Sequence, residues 1–113
     1  MSGLKRYQAL GRLPAGTMNK TEAAYALRLE ALKQAGEVLW YKFESINLRL
    51  AANTFYKVDF MVLTNENALE AHEVKGGYIT EDSVMKIKIA ASLYPFRFVM
   101  MIRQKGQWSA KDY

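Results

Sequence analysis

A polar turn, Thr-Asn-Glu-Asn, lies between two short runs of apolar residues and constrains how this chain can fold. Strand side chains alternate between the faces of a sheet, so an antiparallel hairpin centred on the turn places Leu63 opposite Leu69 and Met61 opposite Ala71. A slip of one residue would turn these apolar side chains to the other face. The sequence therefore predicts one register for two strands, 55–63 and 69–75.

The same register brings charged residues together at the end of the hairpin that lies away from the turn. Asp59 faces Glu73, and Lys75 shares a face with Glu73. Opposed strand residues have Cβ atoms about 4.5–5.5 Å apart, and two carboxylates at that separation repel unless a cation or a proton joins them. Because Mg²⁺ prefers oxygen ligands and keeps several waters, we expect a magnesium site made by Asp59, Glu73 and the carbonyl of Val74.

Capping residues and periodicity predict the remaining elements. A first helix begins near Asn19 or Thr21 and ends at Ala35, and a crossover through a second helix would lay the last strand parallel to the strand of Glu73. These further elements are a strand from Val38 to Glu44 with a short extension around Leu48, a helix capped by Thr80 that runs to about Leu93, and an apolar strand from Phe96 to Arg103.

This order of helix, three strands in a meander, helix and strand indicates the fold class. We expect an α/β chain, more narrowly an α+β fold with a mixed central sheet flanked by helices. The expected division is a flexible basic arm over 1–17, a single domain over 18–108, and a tail over 109–113 that frays while Trp108 packs back.

The order Glu22, Asp59, Glu73-Val74-Lys75 resembles the PD-(D/E)XK nuclease superfamily, the fold of many restriction endonucleases, Holliday-junction resolvases and RecB-like nucleases. More narrowly, residues 18 to 103 are similar to a small family of phage-encoded proteins that is assigned to the superfamily and compared with junction resolvases. The motif's proline position holds Val58 in this chain. The resemblance implies a restriction-endonuclease-like core of the order α-β-β-β-α-β.

The resemblance also implies a function. We expect a Mg²⁺-dependent DNA endonuclease, with Mn²⁺ able to substitute, in which Asp59, Glu73 and the Val74 carbonyl bind the metal. Lys75 would orient or activate the attacking water, and Glu22 would hold metal or water from the first helix. Branched DNA such as a Holliday junction, cut by a homodimer during phage recombination or DNA processing, is the expected substrate, while flap, single-stranded and duplex DNA remain open.

Residues outside the motif are weaker candidates for contacts with DNA, and each has a structural alternative. The resemblance implies a role for one of two lysines of the second helix without choosing between them, although either fits an ordinary surface lysine. The glycines after the Glu-x-Lys strand allow a close approach of a ligand but also suit a plain loop. These candidates are Lys86 or Lys88, Gly76, Gly77, and the arm residues Lys5, Arg6 and Arg12.

Composition bounds the function without fixing it. A net charge of +5 favours a polyanion as partner, but many small domains carry such an excess without binding nucleic acid. No apolar run approaches the roughly 20 residues of a membrane helix, and the N-terminus lacks the apolar core of a signal peptide, so we expect no membrane partner and a cytoplasmic location, in the host cell if the chain is phage-encoded.

Two other classes of function remain open at this stage. One is a non-catalytic nucleic-acid-binding or phage assembly module on the same fold. The other is a small protein-interaction domain in which the Glu-x-Lys is accidental. Glu22 also has a purely structural interpretation as an acid near a helix N-terminus. His72 lies beside Glu73 but on the opposite strand face, and we expect it to be structural.

Overall fold

Asn19 begins the first helix, and its neighbours explain why. The structure, a computed structural model, describes residues 16–113. The Asn19 side chain accepts a hydrogen bond from the Glu22 amide at 2.8 Å, and the Glu22 carboxylate accepts one from the Asn19 amide at 2.9 Å. This capping box satisfies two amide groups at the helix start. Helix α1 (Lys20–Gln34) is therefore capped by Asn19, one of the two predicted caps.

The remaining elements form an α+β fold around a mixed sheet, as the coarse prediction stated. The five-stranded sheet has the order β1-β4-β5-β6-β7, in which β5 and β6 are parallel and the other neighbours antiparallel, while β2 and β3 form a separate two-stranded sheet. The elements are β1 (Val38–Phe43), β2 (Asn47–Ala51), β3 (Thr54–Lys57), β4 (Phe60–Thr64), β5 (Leu69–Lys75), α2 (Glu81–Leu93), β6 (Arg97–Gln104) and β7 (Gln107–Asp112).

The predicted hairpin register is confirmed near the turn. Leu63 pairs with Leu69 and Met61 with Ala71 in the β4–β5 ladder. The parallel crossover is confirmed as well, since Glu73 pairs with Met100 of β6 after the chain passes through α2. The alternation of side chains was sufficient to predict the β4–β5 register, because each strand buries alternate side chains on opposite faces of the sheet.

The prediction of one continuous strand over 55–63 is wrong. The chain breaks at Val58 and Asp59, so that β3 pairs with β2 in the small sheet and β4 enters the main sheet. Tyr56, Val58 and Met61 all belong to the same hydrophobic core, which shows that the alternation of faces shifts by one residue between 58 and 61. Asp59 lies at this shift.

The C-terminal segment also differs from the prediction. Residues 109–112, expected to fray, belong to β7, which pairs along β6 from Gln104–Gln107 to Val99–Asp112. Trp108 packs back as expected, with its ring centroid 5.0 Å from that of Tyr25. The ladder satisfies backbone groups of β6 that would otherwise form an open sheet edge, which explains why this polar segment is a strand.

Two cores cover the two faces of the main sheet. Helix α1 packs on one face through Tyr25 and Leu29, and α2 packs with the β2–β3 hairpin on the other through Ile87 and Ala90. Among residues 16–113, no helix has the length and apolar character needed to cross a membrane. The α1 core contains Phe60, Val62, Val74, Val99 and Met101, and the α2 core contains Leu48, Tyr56, Val58, Met61, Ala71, Phe98 and Met100.

A buried polar chain crosses the α1 face. The Tyr25 hydroxyl lies 2.6 Å from His72 Nδ1, and His72 Nε2 lies 2.9 Å from a Glu70 oxygen. Arg97 bridges the other Glu70 oxygen at 3.0 Å and Asp112 at 2.7 Å. A neutral imidazole with its proton on Nε2 satisfies both contacts of His72. This chain of polar side chains links α1, β5, β6 and β7, which is a structural role of the kind predicted for His72.

The Tyr25–His72 contact yields a stability prediction. Tyr25→Phe keeps the ring and leaves a buried imidazole nitrogen without its partner, so we expect the free energy of unfolding to fall by about 1–3 kcal/mol. The matched control is Tyr78→Phe, because Tyr78 is 83% exposed and its hydroxyl should contribute little. Urea denaturation of both variants measures the effect, and equal midpoints would show that the contact does not stabilise the fold.

Candidate active site

Asp59 takes the place of a backbone partner at the end of the β4–β5 ladder. The last ladder pair is Phe60 with His72, so the Val74 amide lies beyond it. Asp59 Oδ2 accepts the hydrogen bond of that amide at 2.8 Å. The Asp59 carbonyl in turn accepts the Glu44 amide at 2.8 Å. The break in the strand thus fixes the Asp59 carboxylate against β5, because both its side chain and its backbone are held.

Glu73 projects from β5 into the same region and is held on both carboxylate oxygens. It is 7% exposed, so its charge needs partners. The Tyr56 hydroxyl donates to Glu73 Oε1 at 2.9 Å, and Lys75 Nζ lies 3.3 Å from Glu73 Oε2. A buried carboxylate, an ammonium group and a phenol therefore meet at the end of β5.

The electrostatics of the pair depend on burial and on the proximity of the two acids. Burial raises the pKa of Asp59, the charge of Glu73 raises it further, and only the Val74 amide opposes the change. Burial and the Glu73 carboxylate also raise the pKa of Tyr56, which keeps its hydroxyl a donor. The two carboxylates therefore form a site at which a proton or a cation is favoured.

Glu22 reaches this region from the start of α1. Burial raises the pKa of Glu22, the Asn19 amide opposes that rise, and the charges of Glu44 and Glu73 add to it. Helix α1 starts close to the end of β5, since a Cβ at Gly76 would lie 3.8 Å from Thr21 Oγ1. The capping role of Glu22 and its position beside the acidic pair are thus both present.

Two site residues were not predicted, namely Tyr56 and Glu44. Tyr56 was missed because a continuous strand would put residue 56 on the opposite face from Asp59, whereas the break brings both toward Glu73. Glu44 has a left-handed backbone with φ of 49° and accepts the Gly16 amide at 2.9 Å. No strand periodicity signals such a turn residue, although Glu44 directly follows β1.

A cleft of about 260 Å³ opens between the end of β5 and the start of α2. Lys86 lines it and lies 3.7 Å from Asp82, whereas Lys88 is exposed and does not line it. Of the two lysines left open by the sequence, Lys86 therefore has the geometry to reach the site. The other lining residues are Phe55, Tyr56, Lys57, Glu73, Lys75, Thr80, Asp82 and Ser83.

The remaining candidates are the two glycines that follow β5 and the residues of the basic arm. Neither Gly76 nor Gly77 has a left-handed φ, so their conformation does not require glycine. Gly77 lines a second groove together with the β6–β7 hairpin. The basic arm, with Lys5, Arg6 and Arg12, lies outside the described residues.

The donor set decides which metal site the residues could form. In the part of the chain from 16 to 113, no group of three or more His, Cys, Asp or Glu side chains is arranged to hold a metal ion. A cage made entirely of side chains therefore does not fit. The pair Asp59 and Glu73 fits an ion such as Mg²⁺, which is commonly bound through one or two carboxylates plus waters and substrate phosphate. The predicted Val74 carbonyl ligand stays a prediction, while the Val74 amide donates to Asp59.

The fold and the site define a class of protein: an α+β domain in which two neighbouring carboxylates and a lysine meet at one end of a mixed sheet. Comparisons of the chain with protein-family models, with curated proteins and with solved structures found no match. The residues of the site therefore carry the functional argument.

The Asp59 pKa yields a prediction for stability against pH. Its ordinary value is 3.8, and the folded chain raises it to about 8. Between these values the folded chain keeps a proton that the unfolded chain has released, so the free energy of unfolding falls as pH rises through this window. With EDTA present, urea denaturation should show the chain less stable at pH 8 than at pH 5.

Asp59→Asn removes the titrating group and keeps its shape, so this variant should lose most of that pH dependence. Glu66→Gln, at an exposed turn residue, is the matched control and should retain it. An Asp59→Asn variant with the parental pH profile would contradict the assigned pKa.

Proposed function

We propose that this chain is a metal-dependent DNA endonuclease of the PD-(D/E)XK type. The observation that carries the proposal is the meeting of Asp59, Glu73 and Lys75 at the end of β5, with Lys75 Nζ 3.3 Å from Glu73. The order α1-β1-β4-β5-α2-β6 supports it, because this equals α-β-β-β-α-β when the β2–β3 hairpin counts as an insertion and β7 as an addition.

In this proposal, each residue of the site has a role. Asp59 and Glu73 would bind Mg²⁺, with Mn²⁺ able to substitute, and Glu22 would hold metal or water from α1. When bound, the ion supplies charge neutralisation and a more acidic water for phosphodiester hydrolysis. Tyr56 fixes one Glu73 oxygen by its hydrogen bond at 2.9 Å, and the Val74 amide fixes Asp59. The carboxylates are thus oriented before substrate arrives.

Lys75 and Lys86 provide positive charge next to the carboxylates. Lys75 is held by Glu73, and its ammonium group can donate to the attacking water or to a nonbridging phosphate oxygen. Lys86 lines the same cleft from α2 and forms a salt bridge with the exposed Asp82. A scissile phosphate in this cleft would lie near both cations.

The substrate follows from the resemblance and from charge. The net charge of +5 favours a polyanion, and the resemblance favours branched DNA such as a Holliday junction in phage recombination or processing. Simultaneous cuts on symmetric strands require two sites related by a two-fold axis, which a homodimer provides. Flap, single-stranded and duplex DNA are the competing substrates.

Cleavage of a labelled panel of four-way junction, flap, single-stranded and duplex DNA tests the activity. With Mg²⁺ or Mn²⁺, we expect the junction to be cut, and with EDTA we expect no product. Glu73→Gln keeps the acceptor for Tyr56 but removes the charge, and Lys75→Met keeps the stem but removes the ammonium group. Both should lower the rate by about 100-fold or more.

The control for these variants is Glu66→Gln, which removes a carboxylate from the exposed β4–β5 turn and should cut like the parent chain. Junction binding by Glu73→Gln in EDTA should be retained. Binding without cleavage in either metal would identify a non-catalytic nucleic-acid-binding module. Absence of both binding and cleavage would leave a protein-interaction domain.

The homodimer has a separate test in the mass of the free protein. Light scattering after size exclusion should give twice the chain mass of 12.9 kDa, because symmetric junction cleavage needs both sites in one particle. A monomeric mass, both free and with junction DNA in EDTA, would remove the dimer from the proposal without affecting the catalytic residues.

A further inference from the structure

A groove lies at the end of the sheet where the parallel strands β5 and β6 both finish. Its volume is about 780 Å³, and its lining contains two cations and two amides without an acidic side chain. Such a lining offers hydrogen-bond donors and positive charge together, which suits phosphate and sugar oxygens. The lining residues are Gly77, Arg103, Gln104, Lys105 and Gln107.

Arg103 is held in position by an aromatic ring instead of a carboxylate. Arg103 pairs with Trp108 across the β6–β7 ladder, and its guanidinium carbon lies 5.6 Å from the centre of that ring. Trp108 is itself packed against Tyr25. Within residues 16–113, neither Arg103 nor Lys105 forms a salt bridge. Both charges are therefore available to a ligand.

Lys105 occupies a backbone conformation that lysine does not favour. It has φ of 52°, and the following Gly106 has φ of 75°, so the hairpin turn has two left-handed residues. Asn, Asp or Gly are the usual residues at the first of these positions. A strained residue at a candidate binding surface suggests that its side chain has a use there. At this position, Lys105 places a cation at the tip of the hairpin, where it lines the groove.

The groove and the candidate active site lie at the same end of the sheet. Gly77 follows Lys75 by two residues, so the chain between them spans at most roughly 7 Å. A DNA strand whose scissile phosphate lies at Lys75 would therefore pass next to the groove. Both features are at the same end of the sheet because β5 and β6 run parallel, with Lys75 paired to Ile102.

The geometry points to this groove as a binding site for the sugar-phosphate backbone of the DNA strand next to the scissile bond. Arg103 and Lys105 each contact one phosphate, and the side-chain amides of Gln104 and Gln107 donate to neighbouring phosphate or sugar oxygens. This assignment rests on the proposed function for the identity of the polyanion. It adds the residues that position the strand.

The salt dependence of DNA binding tests the site in the full chain. Fluorescence anisotropy with a labelled four-way junction, and with a duplex of matched length, is measured in EDTA at about 50–200 mM salt. Each lost phosphate contact should reduce the magnitude of the negative slope of log Kobs against log[salt] by about 0.9. Arg103→Gln with Lys105→Asn should lower it by about 1.8 and weaken binding roughly 10- to 100-fold near 0.1 M salt.

Three further variants separate charge from folding. Asn favours the left-handed turn, so Lys105→Asn alone should keep the thermal midpoint at or above the parental value while its slope falls. Arg103→Lys keeps the charge and should keep the slope. Lys42→Gln removes an exposed lysine from β1, at the other edge of the sheet, and should also leave the slope unchanged.

The outcomes distinguish this inference from the proposed function. A parental slope in the double variant overturns the groove and leaves the endonuclease proposal in place. A reduced slope without cleavage in Mg²⁺ or Mn²⁺ supports the groove and overturns the endonuclease. A parent chain that binds neither DNA overturns both, and a slope that falls equally in Lys42→Gln overturns the groove because the effect is then nonspecific.

Discussion

The hydrogen bond between the Val74 amide and the Asp59 carboxylate connects the main sheet to the segment that leaves the small β2–β3 sheet. On one side it ends the β4–β5 ladder, whose last pair is Phe60 with His72. On the other side it holds the residue at which the chain leaves the small β2–β3 sheet. An unpaired buried amide costs about 1–3 kcal/mol, so this contact stabilises the strand end. The same contact fixes a carboxylate beside Glu73.

The cost of that arrangement is a concentration of negative charge. Burial and Glu73 both raise the pKa of Asp59, and a buried carboxylate without partners would destabilise the fold. Tyr56 and Lys75 partly offset this by binding the two Glu73 oxygens. Asp59 has no such cation of its own in its defined contacts, so a divalent ion and a proton would compete for this position. The repulsion between the two carboxylates and the proposed metal site thus have one origin.

Some of this could be predicted from the sequence, and the limits have physical causes. Alternation predicted the Leu63–Leu69 and Met61–Ala71 pairs because a shifted register would turn these side chains to the other face of the sheet. The break at Asp59 was not predictable, since residues 55–63 read as one alternating strand. The proximity of Asp59 and Glu73 was predicted as cross-strand pairing, whereas the structure achieves it by a side chain that replaces a backbone partner.

Elements whose stability comes from partners were also missed. Strand β7, QWSAKD, has little apolar content, and it forms because β6 offers an open edge and because the Lys105–Gly106 turn reverses the chain. Lys-Gly is a weak sequence signal for such a turn compared with Asn-Gly. Tyr56 was missed for a similar reason. Its contact with Glu73 depends on the change of strand face near residue 59, which a period-two pattern does not predict.

The acidic side chains next to the two faces of β5 have different electrostatic environments. On the α1 face, the hydrogen bond from His72 lowers the pKa of Glu70, and Arg97 lowers it further against the effect of burial. The Glu70 carboxylate is thus held by the imidazole of His72 and the guanidinium of Arg97, and it is part of the polar chain on this face. Beside the other face, burial raises the pKa of Asp59 and the charge of Glu73 raises it further. Opposite pKa shifts beside one strand thus separate a structural ion pair from a candidate catalytic pair.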